Sequence, residues 1–272
     1  MPPISPEATS VLRRNNVVVS GNPDGRSIIF AHGFGCSQEA WRLVAPRFEA
    51  EYRVIVFDNV GAGGSDLAAY DRGKYDSLYG YADDVVEILD ELDLSDVVYV
   101  GHSVSSMIGV LAAIARPDLI GTLVLVNPSP RYIDDGDYFG GFTEPDIMAL
   151  LDNLDSNYLG WSSAMAPVII GNADRPELGS ELTASFCRFD PAIARQFARV
   201  TFLSDNRADL PLVAAPTLVL QSTDDVIAPL VVGQYVHENI PGSSFVQLSA
   251  TGHVANLSGP DEVARQIAAF IA

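Results

Sequence analysis

Short β-branched and apolar runs recur through the first half of the chain, at Asn16 to Val19, Ser27 to Ala31, Arg53 to Phe57, Val97 to Val100 and Thr122 to Val126. Amphipathic segments separate them. In one, Tyr81, Val85, Ile88, Leu89 and Leu92 repeat at helical spacing while Asp83, Asp84, Glu87 and Asp90 face the other way. Strands alternating with helices of this kind predict crossover connections and a mostly parallel sheet.

The pattern changes between 127 and 209, where strand signals vanish and helical stretches are separated by Pro and Gly. Thr143-Glu144-Pro145-Asp146 resembles a capping-box start, and Asp190-Pro191 offers an N-cap followed by Pro at the first helical position. Some eighty residues far exceed what one crossover needs. Strand signals resume at Thr217 to Gln221 and Ser244 to Leu248, and a last helical pattern runs from about Asp261 to the end. The expected organisation is an α/β core formed by 1–126 and 210–272, interrupted by a helical lid over 127–209. No internal repeat or low-complexity tract is visible.

Composition narrows the function classes. The 272 residues carry 16 basic against 35 acidic side chains, a net charge of −19, with 48% apolar and 19% charged residues. This describes a folded globule large enough to bury a core without disulfides. Without a Lys/Arg cluster, such acidity argues against nucleic acid or an anionic membrane as partner. Two cysteines, Cys36 and Cys187, form neither a disulfide framework nor a metal-like spacing. No apolar run approaches the ~20 residues that span a bilayer. The stretch Met1 to Glu7 shows no basic region leading into an apolar one. A soluble, cytoplasmic, unprocessed chain is the expectation.

The sharpest chemical signal is Gly101-His102-Ser103-Val104-Ser105, which follows Val97 to Val100 and precedes the helix-compatible run Ser106 to Ala112. A strand-turn-helix of this form holds a serine up at a helix N-terminus, as a nucleophile elbow does. The pattern's second glycine is replaced by Ser105. A serine hydroxyl needs a base, and imidazole is the natural one. Of four histidines, His102 is expected to point away along the elbow, His237 lies on a helical pattern, and His32 opens an early loop. His253 follows the last strand on a loop and is the candidate. A carboxylate must orient it, and Asp224 and Asp225, after Thr217 to Gln221, compete for that role. Acyl transfer also needs donors for the developing oxyanion, and the backbone N–H groups of Phe34, in His32-Gly33-Phe34-Gly35, and of Val104 suit it. The glycine-rich run Asp58 to Ser65 leads into polar loop rather than a βαβ helix, which argues for a structural turn over a dinucleotide site.

These residues resemble the α/β-hydrolase superfamily, and within it the RsbQ-like group that includes the karrikin and strigolactone receptor hydrolases. The resemblance extends over nearly the whole chain and is most specific at HGFG (32–35), Tyr52 to Gly63, GHSVSSMIGVLA (101–112), Ser129-Pro130-Arg131-Tyr132 and LQSTDD (220–225). Ser105 in place of glycine is itself a mark of the group. The family spacing D-x-x-x-P selects Asp225 over Asp224. The resemblance implies a Ser103, His253 and Asp225 triad, and a four-helix V-shaped lid over a hydrophobic pocket that includes Phe34, Tyr132, Phe142, Trp161, Met165 and Phe202. Met165 stands where the plant receptors tend to carry Phe, so their ligand preference does not transfer.

The leading expectation is a serine hydrolase, free of cofactor and metal, that cleaves a small hydrophobic carboxylic ester or lactone through an acyl-enzyme. A ligand-sensing signalling receptor whose lid engages a protein partner is the alternative from another class. A cofactor-free perhydrolase is a third.

Overall fold

The computed structural model describes residues 10–272. The segment 1–9, read above as carrying no leader, lies outside the described residues. Seven strands form one sheet: β1 (Val18–Gly21), β2 (Ser27–Ala31), β3 (Arg53–Phe57), β4 (Val97–His102), β5 (Ile120–Val126), β6 (Thr217–Thr223) and β7 (Ser244–Thr251). Their order is β1-β3-β2-β4-β5-β6-β7, with β1 antiparallel to β3 and every other pair parallel. The helices are α1 (Val11–Arg14), α2 (Leu78–Glu91), α3 (Val104–Ala115), α4 (Glu144–Ser156), α5 (Tyr158–Ile170), α6 (Pro176–Phe186), α7 (Pro191–Phe202), α8 (Leu230–Asn239), α9 (Ala255–Ser258) and α10 (Pro260–Ile271). Among the described residues no helix is long and apolar enough to cross a membrane.

Two strands, β2 and β3, run as expected. Four others are longer because pairing continues: β4 reaches His102 opposite Val126, β5 starts at Ile120 opposite Val97, and β6 and β7 run on to the pair Thr223 and Thr251. The first strand starts later than expected, at Val18, because Asn16 sits at φ 46° and turns the chain out of extended geometry. Thr143 and Asp146 form the reciprocal capping box of α4, and the Asp190 side chain accepts from the Ala192 and Ile193 N–H groups at the start of α7.

Apolar side chains pack on both faces of the sheet. One cluster, with Ile29, Tyr81, Ile88, Tyr99 and Leu123, is covered by α2 and α3; the other, with Phe30, Trp41, Val100 and Ile267, is closed by α10 and a 3-10 turn. A third cluster lies between α4–α7 and the loops at the carboxyl ends of the strands, and includes Tyr132, Trp161, Phe186, Phe202 and Val254. Strand order reverses around β2, between β3 and β4, so the crevice beyond the carboxyl ends of these strands is the natural ligand position in an open α/β sheet.

One carboxylate on α2 departs from the amphipathic reading. Asp84 is 1% exposed, not facing solvent. The short helix α1, which hydrophobic periodicity did not reveal, brings Arg14 to 2.8 Å from it; Lys74 lies at 2.6 Å and the Tyr75 hydroxyl donates to it at 2.9 Å. Burial pushes the Asp84 carboxyl up, against the pull of Lys74 and Arg14. Without Asp84, Arg14 and Lys74 keep, among the described residues, only the half-exposed Glu87 as carboxylate partner, at 2.6 and 3.2 Å, and the buried Tyr75 hydroxyl loses its acceptor. Asp84→Ala is expected to lower the unfolding free energy by about 3 kcal/mol, measured by urea denaturation, whereas Asp83→Ala, on the exposed face, stays within about 0.5 kcal/mol.

Candidate active site

The elbow is built by a strained turn. Leaving β4, the chain places Ser103 at φ 57° and ψ −125° before α3 begins at Val104. A non-glycine residue there costs roughly 1–3 kcal/mol, which the surrounding structure must offset. The Ser103 N–H donates to the Val126 carbonyl at 2.9 Å, tying the turn to the end of β5. Gly101 is required: a Cβ there would lie 2.4 Å from the Ser105 carbonyl oxygen. The second glycine of the pattern is not, because the buried Ser105 side chain fits there and its hydroxyl donates to the His32 carbonyl at 2.5 Å.

Three side chains from distant loops meet at this turn. His253 Nε2 is 2.7 Å from Ser103 Oγ, and its Nδ1 is 2.8 Å from Asp225 Oδ2. With the Nδ1 proton donated to the carboxylate, Nε2 is free to accept from the serine hydroxyl. Asp225 is buried, and its Oδ1 accepts from the Ile227 and Ala228 N–H groups at 2.8 and 3.0 Å. Its neighbour Asp224 is exposed, at φ 57°, and takes no part.

The peptide of His253 is fixed as firmly as its ring. Its N–H donates to the Ile169 carbonyl at the end of α5 at 2.9 Å. Its carbonyl accepts from His102 Nε2 at 2.8 Å and Asn127 Nδ2 at 2.6 Å. This corrects the expectation that His102 points away: its ring lies beneath the site, wedged between the His253 carbonyl and Gly33, where a Cβ would come within 2.6 Å of Nδ1. Asn127, at φ 50°, also receives the Ser222 N–H on its Oδ1 at 2.8 Å, so it joins the ends of β5 and β6 to the histidine loop. The sequence reading missed Asn127; a lone Asn at a strand end carries no pattern.

The turn Gly33 to Cys36 faces the serine. It is closed by the Cys36 N–H on the Gly33 carbonyl at 3.2 Å. His32 accepts the Asn59 N–H on Nε2 at 3.0 Å, so its proton is on Nδ1, which donates to the Gly33 carbonyl at 2.9 Å. Among the described residues, the Phe34 and Val104 N–H groups donate to no other protein atom. The glycine-rich run Asp58 to Ser65 supports this turn, since Asp58 collects the N–H groups of Gln38 and Gly64, each at 2.8 Å.

A cavity of about 30 Å³ opens onto Ser103 and His253. Its walls include Phe34, Tyr132, Trp161 and Phe202 of the six pocket residues expected, together with Phe186 and Ile227, which were not. Phe142 and Met165 pack against the same apolar cluster without lining the cavity. Phe142 pairs with Ile133 in a short bridge, and Met165 stays half-buried on α5. Burial pushes the Tyr132 hydroxyl and the Cys36 thiol each up to about 12, so both walls are neutral.

Sequence comparison agrees with this architecture. The model of the alpha/beta hydrolase family matches residues 28–266, and the chain belongs to that family. The karrikin insensitive 2 receptor CA of Petunia hybrida is 42% identical over 92% of each chain, and the strigolactone esterase D14 of Arabidopsis thaliana is 39% identical over 94% of this chain and 96% of its own. Among solved structures, a hydrolase from Oleispira antarctica, olei00960, superposes with a TM-score of 0.93 at 41% identity, covering 96% of each chain.

Burial, reinforced by the neighbouring His253, pushes the His102 imidazole down to about 3. An unfolded histidine titrates near ~6.5, so from there down to about pH 3 the unfolded chain binds a proton that the native state does not. Stability from this group is therefore complete above pH 6.5 and falls with acidification, by about 1.4 kcal/mol per pH unit. In His102→Gln, which keeps a donor for the His253 carbonyl, urea midpoints are expected to fall less steeply between pH 6.5 and 4.5. Equal slopes would mean that the native imidazole is charged.

Proposed function

We propose that the protein is a serine hydrolase of small, uncharged, hydrophobic carboxylic esters or lactones. The observation that carries this reading is the unbroken hydrogen-bond chain from Asp225 through His253 to Ser103, in a cavity walled by apolar side chains. Ser103 Oγ attacks the acyl carbonyl as its proton passes to His253 Nε2. Asp225 keeps the imidazole in the required tautomer and stabilises the imidazolium. The tetrahedral oxyanion takes the N–H groups of Phe34 and Val104, and the N-terminus of α3 adds its dipole. His253 then protonates the leaving alcohol. Water, deprotonated by the same imidazole, attacks the acyl-enzyme and frees Ser103. In a lactone the leaving alcohol stays tethered to the acyl group, so product departs as one hydroxy acid.

The residues 127–209, with α4–α7, serve as a lid on the core formed by 1–126 and 210–272. A cavity of about 30 Å³ holds roughly two waters, so the lining rings must part before an ester can bind. No Lys or Arg lines it, which suits neutral substrates. The free thiols of Cys36 and Cys187 support a reducing, cytoplasmic setting.

A second role, ligand-dependent engagement of a protein partner by the lid, draws support from the relatives named as receptors. Pull-down with and without a ligand that raises the melting temperature tests it; identical captures in both arms would count against it.

Turnover of a p-nitrophenyl ester is expected in the wild type, with kcat reduced at least 10³-fold in Ser103→Ala. A fluorophosphonate should label the wild type and not the variant. Undiminished turnover in Ser103→Ala would overturn the reading.

A further inference from the structure

We infer that Ser185, at the end of α6, is a positioning residue that holds and polarises the Phe34 N–H through two peptide groups. The role rests on the hydrolase reading above and extends it, because it makes α6 part of the apparatus that stabilises the oxyanion.

The Ser185 hydroxyl donates to the Gly35 carbonyl at 2.8 Å, in a buried contact between residues 150 positions apart. That carbonyl belongs to the same peptide as the Cys36 N–H, which donates to the Gly33 carbonyl at 3.2 Å. The Gly33 carbonyl in turn shares a peptide with the Phe34 N–H. Hydrogen bonds in series polarise one another. The direction here runs from the serine hydroxyl to the amide that faces the substrate oxygen, and His32 Nδ1, also donating to the Gly33 carbonyl at 2.9 Å, reinforces the last peptide.

The next residue fixes the turn sterically. Gly35 sits at φ +73°, and a Cβ there would fall 1.7 Å from the Phe186 ring. The same ring lies 5.8 Å from the Phe34 ring, centroid to centroid. A four-residue turn outside any sheet or helix has few internal bonds to set the direction of its amides. Here α6 supplies both a hydrogen bond and a packing surface. Parting of the lid would loosen the Phe34 N–H, and closure over a bound ester would restore it.

The test compares Ser185→Ala with Ser185→Thr, which keeps the hydroxyl, using a p-nitrophenyl ester and an alkylboronic acid that adds to Ser103 as a tetrahedral anion. Both acylation and deacylation pass through an oxyanion, so kcat reports the effect whichever step limits. In Ser185→Ala, kcat is expected to fall about tenfold, less than the ~10²-fold or more for outright loss of a donor. Boronate affinity should fall by a similar factor, with KM within twofold, a melting temperature lower by only a few degrees, and recovery in Ser185→Thr. Wild-type kcat and boronate affinity in Ser185→Ala, with Ser103→Ala inactive, would overturn this role and leave the hydrolase reading standing. A loss of kcat that disappears once rates are normalised to the folded fraction would assign Ser185 to folding alone, and overturn it too. A wild type that neither turns over ester nor reacts with fluorophosphonate would overturn the hydrolase reading and this role with it.

Discussion

His253 lies on a loop, yet it is bonded on every polar atom it owns. The ring bridges Asp225 and Ser103; the peptide N–H is taken by Ile169 of α5 and the carbonyl by His102 and Asn127. These partners come from β4, α5, and the loops after β4, β5 and β6. Backbone bonds from several directions hold the ring between Asp225 and Ser103 although it stands on a loop. The arrangement also explains why a buried, neutral His102 sits beside it. That side chain is a spacer, with the Gly33–Cys36 turn on one side and the histidine loop on the other.

The sheet makes this convergence possible. In spatial order the strands from β3 to β7 are parallel and the edge strand β1 is antiparallel, so every loop that carries a candidate residue leaves from the same edge. The reversal of strand order beside β2 leaves a crevice between the Gly33–Cys36 turn and the elbow at Ser103. Strain at Ser103 is tolerated because Gly101 lets α3 close on the end of β4, and because Ser105 binds the His32 carbonyl. The elbow and the Gly33–Cys36 turn are thus tied together through the Ser105 hydroxyl and the His32 carbonyl.

The helical block does more than roof the cavity. Its contacts reach the histidine loop at Ile169 and the Gly33–Cys36 turn at Ser185. Around Phe34, the rings of Trp161, Phe186, Phe197 and Phe202 lie between 5.7 and 6.3 Å away. Interiors packed in this way switch between discrete arrangements more readily than they deform smoothly. A shift of those rings therefore reaches the Phe34 amide and the His253 loop as well as the helices.

Local pattern determined a great deal by itself. The buried runs Ser27–Ala31 and Arg53–Phe57 read directly as strands because continuous apolar character is a one-dimensional signal, and Thr143 and Asp190 marked helix starts because capping acts over three residues. Chain order and the strand-turn-helix context singled out Ser103 and His253, and a family spacing chose Asp225. Tertiary structure decided what depends on approach between distant segments. Asp84 falls on the polar side of α2, yet is buried because α1 folds back over it with Arg14. His102, Asn127 and Ser185 matter through the carbonyls they meet, and any His, Asn or Ser looks alike until the opposing peptide is in place. Phe186, rather than Met165 or Phe142, lines the cavity for the same reason: the direction of a helix face is set by what it packs against, not by its own sequence.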